Sequence, residues 1–173
     1  KKPNKKLIEV SIPLDSINRS CTKEKHIMQG HPQTIHPFFA RRPLAAARAV
    51  LFASLVDDPG NSLPEKEAKK ERQRLHELIG ELVKWENTDN TSIFKKALTE
   101  IKKSYPDKLP KIYDPFCGGG IIPLEAHRFG LPVFASDLNP VAVLITKCLV
   151  EISQKFLGLE PVNPQVLQKE KSK

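Results

Sequence analysis

Cysteine is scarce in this chain of 173 residues: Cys21, Cys117 and Cys148 are widely separated and odd in number. No CxxC pair and no Cys/His cluster of zinc-ligand spacing occurs, so neither a disulfide framework nor a metal site is expected. The thiols fit a reducing cytoplasm, and Cys21 and Cys148 read as small buried hydrophobes. No apolar run reaches the ~18 residues of a membrane-spanning helix, so no membrane partner is expected. The lysines of "KKPNKK" run into "LIEVSIPLDS", too short and too polar for the apolar stretch of a secretory signal. The chain opens on Lys1 rather than Met, so its natural start is expected to be missing or processed. Glycine is scarce as well. There are eight, and three of them stand together at 118–120.

Charge is unevenly placed. The net charge is +8, and residues 1–48 hold ten Lys/Arg against three Asp/Glu. Residues 49–110 balance at eleven against eleven. A basic surface confined to one segment suits a polyanion such as DNA, with Lys23, Lys25, Arg41 and Arg48 as candidate contacts. The competing reading is a solvated face that keeps the chain soluble.

Residues 7–28 read as a short element and a helix, with Pro13 in the first turn and Ser11 as its cap. "QGHPQTIHPFFARRP", 29–43, is a loop holding two histidines, two phenylalanines and two arginines. His31 and His36 are expected to serve loop structure or helix capping rather than catalysis. Residues 43–57 form a helix opened by Pro43 and stopped by "DDPGN". Residues 64–86 form a charged amphipathic helix with Leu75, Leu78, Ile79, Leu82 and Val83 at helical spacing. Ser92 caps a further helix to about Ser104. "KIYDPF" then reads as a buried strand, "IIPLEAHRF" as a helix of about two turns, "LPVFASD" as a second strand, and residues from Pro140 as a long apolar helix. The order β-loop-α-β-α is the start of a doubly wound sheet.

Glycines after a strand allow a sharp turn and close approach of a ligand to the backbone. The following helix offers unpaired N–H groups at its positive end. Asp137 ends the second strand 17 residues past Gly120, where an acid can accept both hydroxyls of a ribose. The dinucleotide pattern G-x-G-x-x-G fails, because Pro123 replaces its third glycine. Asp114 stands just before the loop, where a carboxylate would repel a pyrophosphate and suit a cofactor carrying an ammonium group. The physics points away from NAD and towards S-adenosylmethionine.

"DPFCGGG" resembles the D-P-F-x-G-x-G motif of DNA amino-methyltransferases, and "SDLNP", 136–140, resembles the motif ending their second strand. The resemblance implies that Asp114, Pro115, Phe116, Cys117, Gly118, Gly119 and Gly120 form the cofactor loop. It implies that Asp137 takes the ribose, with Leu138 flanking the adenine and Asn139 beside it. "HPQTIHPFFARRPLAAARAVLFASLVDDPG" and "KKLIEVSIPLDSIN" resemble the DUF1156 family, whose members read much like "GHPSTLH-WWARRPLAAARA". Phe38 and Phe39 stand where that family commonly has tryptophans. Arg42 and Pro43 occupy positions that, by resemblance, start the helix beside the cofactor and contact its methionine carboxylate. Surface charge is the alternative for Arg41, Arg42 and Arg48. The resemblance covers residues 5–58 and 111–150.

Amino-methyltransferases also need [DNS]-P-P-[YFW], whose aromatic ring stacks on the extruded base. Asn139-Pro140 and Asn163-Pro164 are followed by Val and Gln, and Asp58-Pro59 and Asp114-Pro115 by Gly and Phe. None is that motif, so no catalytic residue is expected in this chain. Cys117 is expected to be a loop residue and not a nucleophile.

The expectation is thus an α/β chain: a partial Rossmann-like S-adenosylmethionine-dependent methyltransferase fold with a helical N-terminal region and a helical insertion. Residues 1–60 would be the basic DUF1156-like region and 61–110 the charged insertion. Residues 111–160 would start the methyltransferase domain, and 161–173 would be a polar tail. The function expected is the cofactor-binding part of a DNA methyltransferase acting on an exocyclic amino group, adenine N6 ahead of cytosine N4. Its partners would be DNA and the remainder of the methyltransferase domain, in the same polypeptide or a partner subunit. The alternatives are a non-catalytic nucleic-acid-binding or assembly subunit of a split methylase, and an RNA or small-molecule methylase. The resemblance also allows a role in restriction–modification or defence.

Overall fold

The computed structural model describes residues 4–27, 29–34, 36–39 and 42–160. The polar tail at 161–173 and Arg41 lie outside the described residues. Five helices come first: α1 (Leu7–Val10), α2 (Leu14–Glu24), α3 (Leu44–Leu55), α4 (Glu65–Leu82) and α5 (Thr91–Ser104). Strand β1 (Ile112–Asp114), helix α6 (Ile121–Arg128), strand β2 (Val133–Ala135) and helix α7 (Pro140–Lys147) follow. The result is a helix-rich α/β arrangement with one two-stranded parallel sheet.

Helix α3 is the centre of the molecule. Its sequence, LAAARAVLFASL, is rich in good helix formers, and most of its residues are buried, from Leu44 to Leu55. A helix buried nearly all round must be wrapped by others. Its capping is unusual. Pro43 precedes it and has no side-chain acceptor to offer. The Glu24 carboxylate, at the end of α2, fills that role by accepting from Leu44 N at 2.8 Å and Ala45 N at 3.0 Å. An acid at a helix N-terminus also opposes the macrodipole favourably.

Helices α4 and α5 are not an appendage. Leu75, Ile79 and Leu82 of α4 recur on one face, as do Phe94, Ala97 and Ile101 of α5. Those stripes join Leu7, Phe52, Phe129 and Leu131 in a single core cluster. The segment 61–110 therefore shares its core with both flanks.

Several local expectations change. Ser11 does not cap α2, because its hydroxyl pairs with His76 Nε2 at 3.1 Å. Asn90, not Ser92, caps α5 by accepting from Ser92 N. The apolar helix from Pro140 is α-helical to Lys147, continues as a π-helical stretch, Cys148–Ile152, and ends in a short α-helical turn, Ser153–Lys155. Cys21 and Cys148 are half-buried, whereas Cys117 is buried. Strand β1 is not buried: Tyr113 is 65% and its partner Phe134 56% exposed. Only part of the sheet is covered, by α6, among the described residues.

Arg48 is a further correction. It is 1% exposed and cannot reach a phosphate. Its Nε donates to Glu125 Oε2 at 2.6 Å, its Nη1 to the Leu82 carbonyl at 3.2 Å, and its Nη2 to Thr88 Oγ1 at 3.0 Å. Glu125 is fully buried and also accepts from Arg128 at 2.6 Å. The pair ties α3 to α6. Removing one partner of such a pair strands a buried charge, at about 3–5 kcal/mol. Arg48→Ala and Glu125→Ala are each expected to cost that much in urea unfolding. The double variant should cost clearly less than their sum. Additive losses would mean that the two charges do not compensate each other.

Candidate functional site

The site is built at the carboxyl ends of the two strands. Asp114 ends β1 and turns back on itself, its Oδ1 accepting from Phe116 N at 3.1 Å. The chain then crosses to β2, with Cys117 N donating to Ser136 O at 3.1 Å. Gly118 and Gly120 have φ of +49° and +74°, in the left-handed region that disfavours side chains. Gly120 opens α6, and a side chain there would start 2.8 Å from Thr146 Oγ1 of α7. This glycine therefore serves helix packing as well as the turn. Thr146 Oγ1 also donates to Cys117 Sγ at 3.3 Å. Burial pushes the Cys117 thiol up, so it stays protonated and is a poor nucleophile.

Asp137 follows β2 and binds across to the loop. Its carboxylate accepts from Asn139 N and from Gly118 N, each at 2.9 Å. These backbone donors, Asn139 first, hold its carboxyl below the usual range. Asn139 in turn caps α7 by accepting from Val141 N. Two acids, one at each strand end, thus line one cleft.

That cleft has a volume of about 540 Å³. One wall is the strand-end loop: Asp114, Phe116, Cys117, Gly118 and Gly119, with Asp137 and Asn139 beside it. Ile121, Ile122 and Ile145 supply apolar surface from α6 and α7. The other wall is the N-terminal loop: Pro32, Gln33, His36, Phe38, Phe39 and Arg42. Of the residues expected at a cofactor, the cleft gathers eight. Pro115 and Gly120 do not line it, and Leu138 is 96% exposed. Pro43 faces a neighbouring cavity of about 520 Å³ instead. Lys23 and Lys25 are exposed near the end of α2, outside the cleft lining.

The sequence places only the end of the 29–43 loop, Arg42 and Pro43, at the cofactor, and marks the rest as unusual in content. The loop's role as a wall depends on an anchor that no motif announces. His31 is 4% exposed. Its Nε2 lies 2.9 Å from Glu24 Oε1, and its Nδ1 accepts from Gln33 N at 3.1 Å. That pattern assigns the proton to Nε2. The ring stacks on Trp85 at 5.5 Å between centroids. His31 therefore has a structural role, whereas His36 is exposed and faces the cleft.

A family profile described as "Protein of unknown function (DUF1156)" matches residues 11–78. A second, described as "D12 class N6 adenine-specific DNA methyltransferase", matches residues 95–171. The chain is also similar to the Type II methyltransferase M.MvaI of Kocuria varians, 33% identical over 52 residues. Those residues are 30% of this chain and span only 12% of that protein's length. No solved structure matches the chain.

The depressed acidity of Asp137 has a pH consequence. Its native carboxyl titrates below its unfolded counterpart, so its contribution is present above about pH 4 and is lost as pH falls through the native value. Asp137→Asn should therefore be less stable than wild type near neutrality. The gap should narrow under acid, as read by denaturant midpoints across a pH series. A gap of constant size would show that the ionised carboxylate does not hold the loop.

Proposed function

We propose that this chain, which matches the DUF1156 profile over residues 11–78 and the N6-adenine methyltransferase profile over residues 95–171, carries in its cleft the S-adenosylmethionine site of a DNA amino-methyltransferase. The observation that carries the reading is the meeting of two strand-end carboxylates, a left-handed glycine turn and Arg42 in one cleft of about 540 Å³. Such a set fits a ligand that carries both a cation and a carboxylate. Asp114 lies where a cationic group is favoured. Arg42 is a partner for a carboxylate. Each Asp137 oxygen accepts one backbone N–H. A carboxylate oxygen has a second acceptor position, so Asp137 can still take ribose hydroxyls.

When bound, the cofactor would supply an activated methyl group. The chain's own residues would bind and orient it, and no covalent nucleophile is required of Cys117. Adenine N6 is the target we favour, on the match to the N6-adenine class. Tyr113 and Phe134 are exposed on one face of the sheet, a face that the remainder of a Rossmann-like methyltransferase domain would cover; the Pro-Pro-aromatic motif would come from that remainder. DNA is the substrate proposed, with Lys23 and Lys25 as contacts on the basic segment.

Calorimetric titration tests this. The chain is expected to bind S-adenosylmethionine saturably and NAD not at all. Asp137→Ala should weaken binding by about ten- to a hundredfold, the loss of at least one hydrogen bond to a charged acceptor. Cys117→Ser should stay within a few fold. Equal affinity for NAD, or indifference to Asp137→Ala, would sink the assignment.

A further inference from the structure

Phe38 belongs to the N-terminal segment, yet it lies on the glycine loop. Its ring carbon Cε1 is 3.2 Å from the point where a Gly118 side chain would begin. Its Cβ is 3.5 Å from the equivalent point at Gly119. Phe39 meets it edge-on at 5.7 Å and is 83% exposed, and Phe116 across the cleft is 78% exposed. Three aromatic rings therefore line the same cleft as Asp114 and Asp137. Ring faces carry negative quadrupole charge and attract cations, most of all partly desolvated ones. Ionised carboxylates beside them act in the same sense. A neutral group of the same shape gains from neither.

We infer that Phe38 is a binding residue that reads charge, favouring the sulfonium of S-adenosylmethionine over the neutral thioether of its demethylated product. The inference rests on the cofactor assignment above. Loss of the methyl leaves the bonding electron pair on sulfur and removes its positive charge. The product then loses the attraction of the Phe38 ring, so the wall that holds the substrate form lets the product go. The N-terminal segment would thereby set cofactor selectivity, in addition to any contact it makes with DNA.

The test titrates the full 173-residue chain with S-adenosylmethionine and with S-adenosylhomocysteine, in wild type, Phe38→Leu and Phe38→Trp. Leucine keeps the glycine loop covered and removes the ring. Phe38→Leu is expected to cut the preference for the sulfonium form by about three- to tenfold, with thioether affinity held within about twofold. Phe38→Trp should keep or raise the preference, because indole is the better cation acceptor. An equal loss for both ligands, or an unchanged ratio, would make Phe38 a passive wall and overturn the inference. Should Phe38→Leu fail to fold, a lower preference in Phe38→Trp would overturn it instead. Wild type that binds neither ligand would bring down the cofactor assignment itself, an outcome distinct from any change in ratio.

Discussion

The buried pair of Arg48 and Glu125 is the joint on which the arrangement turns. Arg48 comes from the segment that matches DUF1156, and Glu125 from the segment that matches the methyltransferases. Between them in sequence lie 76 residues, including all of α4 and α5. Arg48 also holds the last turn of α4, through the Leu82 carbonyl, and the turn before α5, through Thr88. One guanidinium thus satisfies acceptors on three elements. No buried side-chain polar atom is left unpaired among the described residues. The cost of desolvating two charges is offset only because every guanidinium nitrogen finds a partner. A joint of this kind fixes geometry more than it adds stability, and the geometry it fixes is that of α3 against α6.

The cleft inherits that geometry. Helix α6 begins at Gly120, so its position sets the glycine loop. Helix α3 begins at Leu44, so its position sets the exit of the N-terminal loop. Glu24 then determines how that loop leaves α2, because one carboxylate caps α3 and holds His31 at once. The two walls are therefore placed by two buried acids, Glu24 and Glu125, neither of which lines the cleft. The N-terminal segment thus supplies one wall of the cleft and is not a separate basic module.

Sequence reading went furthest where local chemistry decides. The glycine loop, the two strand-end acids and the helix start at Pro43 follow from turn and capping rules within a few residues. The order of elements from 111 onward was equally legible. What escaped reading was decided by distant partners. Arg48 follows Arg41 and Arg42 in the basic segment and reads as a DNA contact, with surface charge as the alternative. Its burial depends on Glu125, and nothing in the pattern of either residue names the other. Glu24 gave no signal either, as a lone acid in a basic segment. The helices at 65–104 read as a charged pair set apart, because their polar faces dominate the composition. Their apolar stripes proved to face the common core. The burial of β1 was overestimated because an apolar strand is ordinarily covered on both sides in a parallel sheet, and here Tyr113 and Phe134 are not.

The three glycines, finally, are not equivalent. Gly120 is required by α7: a side chain would collide with Thr146, whose hydroxyl also fastens Cys117. Gly118 is required by the turn and by Asp137, which takes its amide. Gly119 has neither a positive φ nor a helix against it, only the Phe38 side chain at 3.5 Å. Gly118 also meets the N-terminal segment, since a side chain there would start 3.2 Å from Phe38 Cε1. At Gly119 the 3.5 Å to Phe38 Cβ is ordinary contact, so neither the turn nor that wall demands a glycine there. Gly118 is therefore the position where turn, carboxylate and aromatic wall meet, and that wall comes from the other half of the chain.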